Sequence, residues 1–241
     1  MTRVVISQPM YFPWAGFLAQ MALADVYIWL DDAQFSKGSF TNRVQIKTAA
    51  GIKWLSIPLA GKGSYQDIRN LAASEPSWWM PHRALLAQAL KGRPHLAQAL
   101  AIFDQVPKDI ALVDTLIASA EAPAHAMGIR PSTILRSSEM SVEGNSWDRV
   151  LRMVKAVGGT EYITGHGALN YLDHEAFEAA GVAVSYMNYN PLPWPQDHGD
   201  FTPYVTCLDL LANVAAEQAA AHLRPAVTGW RTFKALRERS A

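Results

Sequence analysis

The chain has 241 residues, half of them hydrophobic and 17% charged, with 21 Lys plus Arg against 21 Asp plus Glu and a single cysteine. So apolar a chain offsets its folding entropy and is not disordered, and its one cysteine excludes an intramolecular disulfide and a cysteine-built zinc cluster. Zero net charge argues against attraction of the whole surface to nucleic acid or anionic lipid, and the length fits one large domain or two small ones.

In chain order, Val4 to Ser7 reads as a strand that opens at Gln8 into a loop carrying Pro9 and Pro13. The apolar run after Arg3 is too short for a signal-peptide core. No stretch approaches the ~20 apolar residues of a membrane-spanning helix, so the cytoplasm is the expected compartment. Gly16 to Ala24 fits a helix, and Asp25 to Leu30 a second strand closing on Asp31-Asp32. Strand, helix, strand with continuous apolar strands predicts a parallel sheet. Arg43–Lys47 and Lys53–Leu59, across Ala49-Ala50-Gly51, predict a hairpin added to that sheet.

From Trp78 to Leu100 and from Ile110 to Met127 the chain is rich in Ala and Leu, with breaks at Gly92-Arg93-Pro94 and Pro107. Leu112, Leu116 and Ile117 give the second stretch an apolar stripe, with Asp109 its expected cap. Pro131–Arg136 is a strand candidate, and Ser146–Val157 a helix with Ser146 as cap. Tyr162–Thr164 is a strand, Asn170–Ala180 a helix stopping at Gly181, and Val182–Met187 the last expected strand. Residues 190–203 hold four prolines and form a long loop leading into a helix from Cys207 to His222. The pattern predicts an α/β fold with a mostly parallel, Rossmann-like sheet and a helical insertion: residues 1–75 and 128–223 as core, 76–127 as insertion and 224–241 as a basic tail. In that tail Arg224, Arg231, Lys234, Arg237 and Arg239 face Glu238 alone, which suits a solvated terminal helix or a contact with an anionic partner or membrane surface.

Ligands of open α/β sheets bind at the C-terminal strand ends, and polar residues gather there in this sequence. The first end gives Gln8, Tyr11 and Trp14, the second Asp31, Asp32, Gln34 and Lys37, a later one Ser137, and another Gly165 and His166. The stiff, aromatic segment Gln8 to Trp14 suits a preformed binding wall, or equally a plug in the core. Asp31 and Asp32 suit a Mg²⁺ ion, the orientation of an amine or a simple Asx-turn. Lys37, Asn42, Arg43 and Lys47 make a cationic patch that fits a phosphate or carboxylate, or a solvated hairpin face. His166 is the best-placed histidine for acid/base work, and His198 sits in the Pro-rich loop beside Gln196 as a candidate binding residue, with sequence alone leaving open whether the two come together. His82, His95, His125 and His174 have no metal-ligand spacing, so no metal site is expected. No dinucleotide, P-loop or GxSxG motif appears, and Cys207 is expected to be buried and inert.

A broader pattern is carried by Gln8-Pro9-x-Tyr11-x-Pro13-Trp14-x-Gly16-Phe17, Asp31-Asp32-x-Gln34-Phe35, Asn42-Arg43, Trp54-Leu55-x-Ile57-Pro58, Ser137-Ser138, Gly165, Tyr171-Leu172 and Pro195-Gln196. This resembles the WbqC-like protein family almost from end to end. The resemblance implies a place in surface-polysaccharide or other small-molecule biosynthesis, without a defined reaction. Gln8, Tyr11, Trp14, Asp31, Asp32, Gln34, Asn42, Arg43, Gly165 and Gln196 match its motif positions. The chain departs from the pattern at His166, where a small residue is usual, and in the loop Asn190–Gln196. A fainter likeness to nucleotidyltransferase-like folds lacks the HxGH histidines, since no histidine precedes His82.

The expected activity is an acyl- or amide-forming transfer, or a condensation, on an amino sugar or amino acid. It would draw on His166, Asp32 or Asp31 as acid/base groups and on Gln8, Asn42 or Arg43 as hydrogen-bond donors. The expected partner is a small molecule: an amino sugar, nucleotide sugar, amino acid or acyl donor. The cofactor is left open, and nucleic acid is not expected. The competing expectation is a non-catalytic binding or scaffold protein of such a pathway.

Overall fold

A computed structural model describes residues 1–61 and 65–240. In chain order the elements are β1 (Arg3–Ser7), α1 (Ala15–Met21), β2 (Val26–Trp29), β3 (Arg43–Thr48), β4 (Gly51–Ser56), α2 (Trp79–Ala89), α3 (Leu96–Gln105) and α4 (Leu112–Ala126). There follow β5 (Thr133–Arg136), α5 (Ser146–Ala156), β6 (Glu161–Thr164), α6 (His174–Ala179), β7 (Ala183–Tyr189), α7 (Cys207–Asn213), α8 (Ala216–Ala219), β8 (Pro225–Gly229) and α9 (Trp230–Ser240).

The fold is mixed α/β. Among the described residues the main sheet has six strands in the order β5-β2-β1-β6-β7-β8. Neighbours from β5 to β7 pair in parallel, and β8 closes the edge antiparallel to β7. The chain builds outward from β1 through β2 to β5, then returns to the other side of β1 with β6. The connections therefore diverge between β1 and β6, the position at which open α/β sheets commonly place a ligand crevice.

Both faces of this sheet are covered, which explains the continuous apolar strands. Alternate side chains serve opposite layers: Val5, Tyr27, Trp29 and Ile163 join the cluster under α1, α2, α3, α4 and α7. Val4, Ile28, Tyr162 and Val184 join the one under α5 and α6, with Phe233 of α9. In α5 the buried positions Val150, Met153 and Val154 follow helical spacing.

Several sequence expectations are corrected. The hairpin β3–β4 is a separate two-stranded sheet and is not part of the main one. The other edge of β3 is occupied, since Gln45 bridges Val205 and its carbonyl accepts the Thr206 amide. Val182–Met187 is not the last strand: β8 follows as an edge strand that begins with proline, as edges permit. Ala111, not Asp109, is the N-cap of α4, and Asn145, not Ser146, that of α5. The expected helix from Asn170 begins only at His174, where the Asp173 carboxylate accepts the Ala176 amide. The helix from Cys207 breaks at Val214, whose backbone is extended, before α8.

Candidate functional site

The run Val26–Trp29 ends at Leu30, and the next two side chains fasten the C-terminal ends of β2 and β5 together. Asp31 is 1% exposed. Its Oδ1 accepts the Ser138 amide at 3.0 Å, and its Oδ2 accepts the Ser138 hydroxyl at 2.8 Å. The Ser137 Oγ lies 3.2 Å from Asp31 and 2.6 Å from Asp32, so its single proton serves both. Arg149 of α5 completes the cluster with a two-point contact to Asp32, at 3.0 and 2.6 Å, while its Nε donates to the Val142 carbonyl. Burial acts to raise the Asp32 carboxyl, but the hydrogen bonds from Arg149 and Ser137, with the Arg149 charge, outweigh it and hold the group below the ordinary carboxylate range. A carboxylate so held is a strut between three elements and a weak proton acceptor at neutral pH.

Beyond Asp32 the backbone runs as an extended ribbon against residues 66–69. The Asp31 carbonyl accepts the Arg69 amide, Ala33 accepts that of Ile68, and Phe35 donates to Gln66. The ribbon carries Gln34 and Phe35 into one wall of an open cavity of about 980 Å³. Lys37, Asn42 and Arg43 line the same cavity, facing an apolar wall that includes Ile57, Pro58, Leu59 and Leu71. Asn42 and Ile57 are locked together: the Ile57 amide donates to the Asn42 carbonyl at 2.8 Å, and the Asn42 side-chain amide donates to the Ile57 carbonyl at 2.8 Å. Arg43 donates from Nε to the Ser39 carbonyl and from Nη2 to that of Gly38, and its guanidinium lies 4.5 Å above the Trp54 indole. Four residues singled out from the sequence, Gln34, Lys37, Asn42 and Arg43, thus meet in one cavity. Lys47 of the same cationic run does not: it is buried, donating to the Gly199 and Asp200 carbonyls and to Gln196.

The segment from Gln8 to Trp14 is mostly core. Tyr11 and Phe12 are buried, and the Phe12 ring stacks on Phe103 with centroids 5.0 Å apart. Phe12 has φ +35°, a left-handed conformation unusual for an aromatic residue. Three bonds hold the loop there: the Phe12 amide donates to Ser119, its carbonyl accepts the Thr206 hydroxyl, and the Pro13 carbonyl accepts the Cys207 amide. The Tyr11 hydroxyl lies 3.1 Å from Nδ1 of His82, whose ring also bonds the Ser56 backbone. Burial pushes the His82 pKa down to about 4. Since Ser56 also lines the cavity, this neutral imidazole buttresses its back wall. Trp14 is half-buried against Tyr189 and Tyr204, and Gln8 half-buried at the end of β1.

The remaining candidates lie elsewhere. His166 is exposed after β6, its Nε2 3.0 Å from the Met187 carbonyl and its ring beside Phe233. A Cβ added at Gly165 would meet nothing within 4 Å, so the backbone there faces open space. Gln196 braces the Pro-rich loop, bonding Thr202 through both ends of its amide and donating to Asp209 at 3.0 Å. His198 is exposed in that loop with φ +65°. The roles of Arg149 and His82 escape sequence reasoning, because their partners lie 117 and 71 residues away and no local motif marks them. Among the described residues no group of three or more His, Cys, Asp or Glu is arranged to hold a metal ion, and no helix is long and apolar enough to cross a membrane. Two smaller cavities, of about 600 Å³ between α3 and α4 and about 420 Å³ beside His174 and Trp230, hold none of the site candidates.

The chain is 28% identical over 224 residues to the uncharacterized protein Rv1507c of Mycobacterium tuberculosis (strain ATCC 25618 / H37Rv), covering 90% of this chain and 96% of that protein. No solved structure matches. The model of the WbqC-like protein family matches residues 8–221, which include every site candidate above, and the chain belongs to that family.

Proposed function

We propose that this protein is an enzyme of surface-polysaccharide or other small-molecule biosynthesis that takes its substrate into the cavity between residues 34–43 and the β4 end. The observation that carries this reading is the convergence of Gln34, Lys37, Asn42 and Arg43 on one apolar-walled space of about 980 Å³, the size of a small-molecule site. The strand order, reversing between β1 and β6, supports a doubly wound, Rossmann-like view of the sheet with its ligands at the C-terminal ends. The chemistry is an acyl- or amide-forming transfer, or a condensation, on an amino sugar or amino acid. Asp31 and Asp32 organise the strand ends, and His166, exposed after β6, does not line the cavity, so this reading takes no base from it.

A second reading has its own support. The cavity lining contains no histidine, cysteine or carboxylate among its described residues, which suits a protein that binds without transforming its ligand. Thermal stabilisation by nucleotide sugars, ATP, coenzyme A and amino acids, followed by mass spectrometry of paired donors and acceptors, separates the two. A stabilising pair that yields product, with turnover lost in Ala60→Trp, which fills the cavity, supports the enzyme. Stabilisation without product for any pair supports the binding protein. No stabilisation by any compound rejects both.

A further inference from the structure

We infer that the cavity takes an organic anion, a phosphate or carboxylate joined to an apolar or aromatic body, gripped by Lys37 while Arg43 acts as a positioning residue. The inference rests on the cavity being the substrate site. Its lining carries two cations, Lys37 and Arg43, and no carboxylate among the described residues. A ligand there meets a positive field on one side and apolar side chains on the other.

The two cations are not equivalent. The Arg43 Nε and Nη2 are committed to the Ser39 and Gly38 carbonyls, and its flat face to Trp54. These contacts fix the turn from Ser36 to Ser39, which the Ser39 amide closes on the Ser36 carbonyl at 3.0 Å. Gly38 stands third in that turn with φ +88°, the conformation a type II turn demands of glycine. Lys37 is the second residue of this turn and makes no hydrogen bond or ion pair with any described residue. A flexible ammonium with three donors, on a turn clamped by an arginine, is an anion grip whose stem is held in place.

The test uses four probes with the full-length protein: 1-naphthyl phosphate, 1-naphthoate, the neutral 1-naphthamide and inorganic phosphate, each titrated by calorimetry. The expected result is that at least one naphthyl anion binds about 10- to 100-fold more tightly than the amide. Lys37→Ala then removes that preference and Lys37→Glu reverses it, while amide binding is unchanged. The ratio of phosphate to carboxylate affinity identifies which anion is preferred. Arg43→Ala weakens the anion in the wild-type background but adds little in Lys37→Ala, because Arg43 acts through Lys37. A purely structural Arg43 would instead weaken the neutral amide equally.

Equal binding of anions and amide, indifferent to Lys37→Glu, overturns the inference and leaves the cavity reading standing. Full additivity of the Lys37 and Arg43 substitutions overturns the positioning role. Binding that survives Ala60→Trp, which fills the cavity from an exposed wall position, or no binding by any naphthyl probe, overturns the cavity reading with it.

Discussion

Acidification from pH 7 to pH 4 should unfasten His82. The ring is 7% exposed, accepts the Tyr11 hydroxyl at Nδ1 and bonds the Ser56 backbone, an arrangement complete only for neutral imidazole. A proton on Nδ1 would meet the Tyr11 hydrogen and force that hydroxyl to turn. Burial lowers the folded pKa to about 4, against about 6.5 in the unfolded chain. Stability from this group is therefore fully present above about pH 6.5, is lost as pH falls, and is gone below about 4. The gap of ~2.5 units corresponds to about 3 kcal/mol. Urea denaturation at half-unit steps measures it, beside the same series for His82→Leu. The variant should be less stable at pH 7 by about 2 to 4 kcal/mol, since Tyr11 and Ser56 lose a partner, but its stability should fall less between pH 6.5 and 4.5. His174 also has a pKa lowered by burial and the Lys234 charge, so only the difference between the two proteins reports on His82. Equal slopes for both would refute the reasoning.

Other consequences are equally direct. Asp32→Asn should cost about 1 to 3 kcal/mol at pH 7, because Arg149 keeps its burial but loses its counter-charge; chemical denaturation measures this, and Arg149→Met in the same background should add less than it does alone. The Asp32 contribution is present above the ordinary carboxylate pKa and is lost as pH falls through its lowered folded value, so the variant's acid transition should be shallower. Gly16→Ala should destabilise by about 1 to 3 kcal/mol and red-shift tryptophan emission, since a Cβ there would stand 2.0 Å from the Trp14 ring. Cys207 should resist a thiol reagent in the native protein and react fully in denaturant, because burial both hides the thiol and raises its pKa.

Much of the sheet was legible because a strand covered on both faces must be apolar throughout. Val4–Ile6, Val26–Trp29 and Tyr162–Ile163 meet that demand and read as parallel strands. Pro225–Gly229 does not: as an edge strand it is half exposed, and only pairing with β7 makes it a strand. The hairpin was legible as a hairpin but not in its place, because Val44 and Ile46 belong to the helical layer and the partner of β3 lies at Val205, 160 residues from Gln45. At the candidate site, the polar cluster from Gln34 to Arg43 was visible because its members are near one another in sequence. Asp31, Asp32 and Ser137 were visible singly, but their mutual bonding was not, since it spans more than 100 residues. The aromatic loop was ambiguous for a physical reason: the same stiff residues suit a ligand wall or a core plug, and only their burial decides.

The central claim, that the cavity between residues 34–43 and the β4 end receives the substrate, is tested most directly by hydrogen exchange with the compound that stabilises the protein most. Binding there should slow exchange of amides in residues 34–43 and 56–60 and leave residues 164–168 unchanged. Protection confined to 164–168, at the C-terminal end of β6, would contradict it.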